Sequence, residues 1–126
     1  MSCNVNKFYN EVPQYNFEIK RGDTWVDPTI QWQDTNGDPI DLSSYTARLT
    51  VKDELDGDNT YVELTSGAGE IVLNGAGTGY ITFLVSAATT AAWTWEEGEY
   101  DLELTLGSVV TTILRGRIRL VGDITV

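Results

Sequence analysis

The side chains of this 126-residue chain that could do chemistry are almost all carboxylates. Asp34, Asn36 and Asp38 stand at spacing two in "QDTNGDP", the spacing at which calcium loops set their oxygen ligands. "DELDGDN" adds Asp53, Asp56, Asp58 and Asn59 at irregular spacing. Neither completes a calcium loop. Gly37 comes before the third ligand, whereas an EF-hand places its glycine after it, and no glutamate stands at the closing bidentate position. Turns recruit Asp, Asn and Gly for backbone reasons alone, so the expectation is two turns without a metal. Asp56/Asp58, Glu96/Glu97 and Asp101/Glu103 pair carboxylates, but each pair falls on a loop or an outward strand face. A glycosidase pair needs a cleft between its members.

The other reactive constellations are missing. The chain contains no histidine, which excludes Ser-His-Asp and Cys-His catalysis and zinc sites built from Cys and His. Cys3 is the single thiol, so it forms no intrachain disulfide and has no imidazole to activate it. "NGAGTG" and "GAGE" are rich in glycine, yet no lysine follows and no long helix opens after them. They read as turns and not as phosphate-binding loops. The expectation is a protein without catalytic residues, cofactor, metal or small-molecule substrate.

The net charge is −11, and eleven acidic residues lie between Asp53 and Leu114 with no Lys or Arg among them. An acidic surface repels phosphates, so nucleic acid is not the expected partner. Arg115, Arg117 and Arg119 follow at spacing two. They are expected to pair with the acidic strand beside them rather than with a phosphate. No apolar run is long enough to span a bilayer, and "MSCNVNKFYNEVPQY" lacks the apolar core of a secretory signal. The expectation is a soluble protein made in a cytoplasm, with no membrane partner.

The elements that must hold these side chains alternate with period two, which argues strand. Tyr15, Phe17 and Ile19 alternate with Asn16, Glu18 and Lys20. Trp25 to Gln33 is the next run, with Val26, Pro28, Ile30 and Trp32 on one parity. Pro28 cannot donate to a ladder, so that strand is an edge or carries a bulge there. Asn36-Gly37 signals a hairpin, and Leu42-Ser43-Ser44-Tyr45 a second corner. Ala47, Leu49 and Val51 point inward from the cleanest strand, and Tyr61–Thr65, Ile71–Leu73 and Tyr80–Val85 follow. Ser86 is an N-cap for one or two helical turns in "SAATTAAWTW", pinned by Trp93 or Trp95 and ended at Gly98. Glu99–Leu106 and Val109–Val121 then form a hairpin across Gly107-Ser108. The sum is all-β: an immunoglobulin-like β-sandwich of about seven to nine short antiparallel strands, with one short helical turn near 86–95. Residues 1–14 are expected as an extended N-terminal arm, and 15–126 as a single sandwich domain.

Four stretches in fixed order carry a resemblance. They are "RGDTW" from Arg21, "QWQDTNGDPIDLSSYTARLTVKD" from Gln31, "GTGYITFLVSAATTAAW" from Gly77 and "GEYDLEL" from Gly98. Together, over about residues 19 to 121, they resemble small structural proteins of tailed bacteriophages and are similar to the N-terminal domain of phage baseplate upper proteins. The resemblance implies a β-sandwich that serves as a virion building block, with no catalytic residues. It implies contacts in the tail, baseplate or fibre-attachment region, with other virion proteins and copies of the chain in a symmetric assembly. Capsid decoration is the neighbouring role. A role of another class is a carbohydrate-binding module, in which Trp25, Trp32, Trp93 and Trp95 would form a sugar platform.

Overall fold

The computed structural model describes residues 3–6, 13–54, 57–73 and 77–122. Its elements are β1 (Cys3–Asn6), β2 (Phe17–Lys20), β3 (Trp25–Gln33), β4 (Thr46–Lys52), β5 (Thr60–Thr65), β6 (Ile71–Leu73), β7 (Tyr80–Val85), α1 (Ala87–Ala92), β8 (Glu97–Leu106) and β9 (Val109–Val121). They form two sheets, one in the order β1-β3-β7-β6 and the other in the order β2-β9-β8-β4-β5. Among the described residues no helix is long and apolar enough to cross a membrane.

Alternation explains the layering. Ala47, Leu49 and Val51 from β4, Tyr100, Leu102 and Leu104 from β8, and Ile81, Phe83 and Val85 from β7 are all buried and meet between the sheets. Phe17 sits at the centre of an aromatic cluster, in ring contact with Tyr15, Trp25, Phe83 and Tyr100. Burying a side chain of this size stabilises by about 1.5–3 kcal/mol, which makes this shared core a main favourable contribution to the fold.

Two expectations about pairing are corrected. Not every strand pair is antiparallel: β1 runs parallel to β3, and β2 runs parallel to β9. Both parallel strands come from the first 20 residues, where no hairpin constrains the direction. The strand order and the mixed pairing therefore describe a two-sheet β domain and do not carry the narrower immunoglobulin-like label. The second correction concerns β3. A register shift between Asp27 and Ile30 resets the parity, so Trp25 points inward and Val26 outward, while Ile30 and Trp32 point inward. Pro28 lies inside that bulge, in a strand that is internal between β1 and β7.

The turns follow their residues. The Asp34 carboxylate accepts from the backbone N–H of Asn36 and of Asp38, and Gly37 takes φ +85°. Leu42 closes the next corner through its carbonyl to the Tyr45 N–H, and its own side chain is buried. Ser86 caps α1 by accepting from the Thr89 N–H. The helix ends at Ala92, earlier than Gly98, which instead lies in β8 where a Cβ would meet the Lys52 carbonyl at 2.7 Å.

Within the span expected as an arm, Cys3–Asn6 is β1, and residues 7–12 lie outside the described residues, as do 55–56 of the second acidic loop.

Candidate functional site

The two sheets turn faces of opposite character to solvent. On the second sheet the outward residues of β4 and β8 are charged or threonine, and β9 turns Arg115, Arg117 and Arg119 the same way. Arg48 pairs with Glu103 at 2.8 Å and reaches Glu63 at 3.9 Å. Arg117 pairs with Glu97 at 2.9 Å and with Glu99 at 2.8 Å. Arg119 lies 4.0 Å from Glu18. These contacts raise the pKa of Arg48 and Arg117, chiefly through hydrogen bonds to Glu103 and Glu99. The arginine stripe thus meets acidic neighbours, as its spacing predicts, but through different strands: Arg117 uses β8 and Arg119 uses β2.

Arg115 is the exception. It faces Asp101 in the register, yet among the described residues its guanidinium makes no ion pair, and it borders a polar cleft of about 250 Å³ with Gln14, Asn16 and Glu99. Asp101 is held above the usual carboxylate range, first by burial and then by the charge of Glu103.

The outer face of the first sheet is different. Val26 is 55% exposed and Leu84 44%, and the two sit directly opposite each other on β3 and β7. Val72 of β6 and Tyr80 of β7 are also exposed, with Thr82 between them. At the far end of the second sheet, Leu106, Val109 and Val110 leave the core at the tip of the β8–β9 hairpin. Sequence reasoning passed over this face. A signal was present in "YITFLV", where both parities of β7 are largely apolar, but alternation identifies the buried side and says nothing of what covers the other.

The aromatic platform does not assemble. Trp25, Trp32 and Trp95 are core residues, and Trp93 is half-buried against Trp95. Among the described residues no group of three or more His, Cys, Asp or Glu side chains converges closely enough to hold a metal ion. The Asp34 oxygen is engaged by turn amides.

A further feature had no sequence signal because its partners lie 67 to 74 positions apart. Arg21 donates from Nε to the Trp93 carbonyl and from Nη2 to the Trp95 carbonyl, at 3.0 and 2.6 Å. The Gly22 N–H donates to the buried Thr90 hydroxyl, which donates in turn to the Asp23 carbonyl. The "RGD" turn therefore locks α1 and the segment after it to the second strand. It is a structural clasp.

Among proteins of solved structure, this fold has a likeness in a phage protein. The N-terminal domain of phage TP901-1 ORF48 superposes with a TM-score of 0.52 at 12% sequence identity, covering 93% of this chain and 93% of that one. At that identity the likeness is one of fold. No protein-family model matches the chain, and no curated protein matches it.

Proposed function

We propose that this chain is a non-enzymatic structural component of a tailed-phage virion, acting through protein–protein contacts in the tail, baseplate or fibre-attachment region. The observation that carries the reading is the fold shared along nearly the whole of both chains with a domain of a phage protein. The resemblance of Arg21–Trp25, Gln31–Asp53, Gly77–Trp93 and Gly98–Leu104 to the N-terminal domain of baseplate upper proteins points the same way. The uncharged outer face of the first sheet supplies a surface suited to packing against a neighbour. In this reading the chain works in the virion as an arm over 1–14 and one domain over 15–126. Its partners are other virion proteins and copies of itself in a symmetric assembly, and no catalytic residue, cofactor or metal is assigned.

Electron microscopy of purified virions carrying a tagged copy tests the proposal. Label on the tail or baseplate is the expected result. Label on the capsid shell transfers the role to decoration, and protein found only in lysate and never in particles refutes a virion role.

A further inference from the structure

The end strand β6 differs from the charged edges of the second sheet. Sheet edges expose unpaired backbone groups and are commonly guarded by charge. β2 carries Glu18 and Lys20, and β5 carries Glu63. β6 is Ile71-Val72-Leu73, with no charge at all.

Its free backbone groups follow from the register. The Leu84 N–H donates to the Glu70 carbonyl, and Ile71↔Phe83, Val72↔Thr82 and Leu73↔Ile81 continue the same antiparallel ladder. Hydrogen-bonded pairs alternate along such a ladder, so Val72 bonds to β7 while the N–H and C=O of Ile71 and Leu73 point away from it. All three β6 residues line a groove of about 400 Å³ together with Thr46 at the start of β4. Leu42 and Tyr45 line one side, and Ser66 and Gly67 close it at the β5–β6 turn. No residue lining it is charged. The charged residues next along the chain to its lining are both acidic: Asp41, whose carboxylate accepts from the N–H of Ser43 at the groove wall, and Glu70, which follows Gly69 and lines the neighbouring cleft with Leu84.

We propose that this groove takes an extended segment of a partner protein, added as a strand along β6, apolar where it faces Leu42 and Tyr45 and basic at its ends. Two outward backbone sites two residues apart offer hydrogen bonds with the spacing of a strand, which is how strand addition recognises its ligand. Charge complementarity selects the partner: the acidic rim and the net charge of −11 favour a basic-flanked segment and disfavour a second copy of this chain. The proposal deepens the assembly role argued above and rests on it for its biological setting.

The test titrates the full chain with the synthetic peptide Lys-Thr-Val-Thr-Val-Thr-Lys, blocked at both ends, and with its twin carrying Glu in place of both Lys. The amide signals of Ile71 and Leu73 are expected to shift and to gain protection from exchange, and the Glu twin to bind at least about tenfold more weakly at low salt. Gly67→Gln adds bulk at the groove wall, where a Cβ meets nothing within 4 Å, and is expected to lose binding with its melting temperature retained. Val72→Lys, at an exposed position, repels the basic ends and gives the same reading should the first variant fail to fold. Four results overturn the proposal. They are absence of binding, equal binding of the Glu twin, shifts confined to other strands, and light scattering that shows the free chain as a dimer which Val72→Lys separates. Absence of the protein from purified particles removes the virion role and leaves the peptide result on the groove standing.

Discussion

At the residue scale, single contacts between distant segments carry much of the specificity. Arg21 satisfies two carbonyls that follow α1. Hydrogen bonds to a charged group contribute about 1.5–3 kcal/mol each, so Arg21→Met, which removes two, is expected to lower unfolding stability by roughly 3–6 kcal/mol in a urea titration. Arg21→Lys recovers part of that loss at most, because one ammonium lacks the planar fork. Asp101 supplies a pH signature. Burial and Glu103 hold its carboxyl above the usual range, so its ionised form is less favourable in the folded chain than in the unfolded one. That penalty is present above the folded pKa and vanishes as pH falls below the unfolded value of about 3.9. Asp101→Asn is therefore expected to be more stable than the parent at pH 7, with the difference closing toward pH 4 or below. Equal stability at both ends of a pH series of denaturation curves would refute this account.

At the element scale, backbone geometry decides where strands bend and where they touch. Gly116 in β9 is the tightest such point, since a Cβ there would run into the carbonyl group of Tyr15. Neither backbone can retreat without breaking the pairing of Tyr15 with Arg115. Gly116→Ala is expected to destabilise by at least about 2 kcal/mol and to loosen β2 from β9, seen as faster amide exchange at Phe17–Lys20. The cap of α1 is a milder case. Ser86→Ala removes the acceptor of the Thr89 N–H and is expected to lower stability by about 1 kcal/mol by thermal melting. The bulge in β3 shows the same logic without mutation. Val26 and Ile30 share a parity in the sequence, yet Val26 faces solvent and Ile30 the core, because the bulge between Asp27 and Ile30 adds an odd step.

At the scale of the whole molecule, the ion pairs lie on the second sheet, and exposed apolar side chains lie on the outer face of the first sheet and at the tip of the β8–β9 hairpin. Exposed ion pairs such as Arg117–Glu97 are worth little individually, and many surface pairs contribute nothing measurable. A larger effect comes from the uncompensated charge of −11. Self-repulsion is screened by salt, so the melting temperature is expected to rise between about 10 mM and about 150 mM sodium chloride. A fall over that range would mean that the ion pairs outweigh the net repulsion. Burial of Trp25, Trp32 and Trp95 predicts blue-shifted tryptophan fluorescence with weak quenching by iodide, and this favours assembly contacts over a sugar platform.

The sequence by itself determined the strand-rich class, the inward residues of β4, β7 and β8, the turn at Asp34–Asp38, the Ser86 cap and the lack of histidine chemistry. Each of these depends on neighbours within a few positions, and period, propensity and composition report such neighbours directly. Only the tertiary structure decided that β1 and β2 run parallel to their partners and that Arg21 clasps the segment after α1. It alone left Arg115, among the described residues, with no ion pair to the carboxylate its spacing promised. It alone brought Val26, Val72, Tyr80 and Leu84 onto one exposed face and opened a groove beside β6. These features join residues many positions apart, and alternation records which side of a strand is buried but not which strand lies next to it.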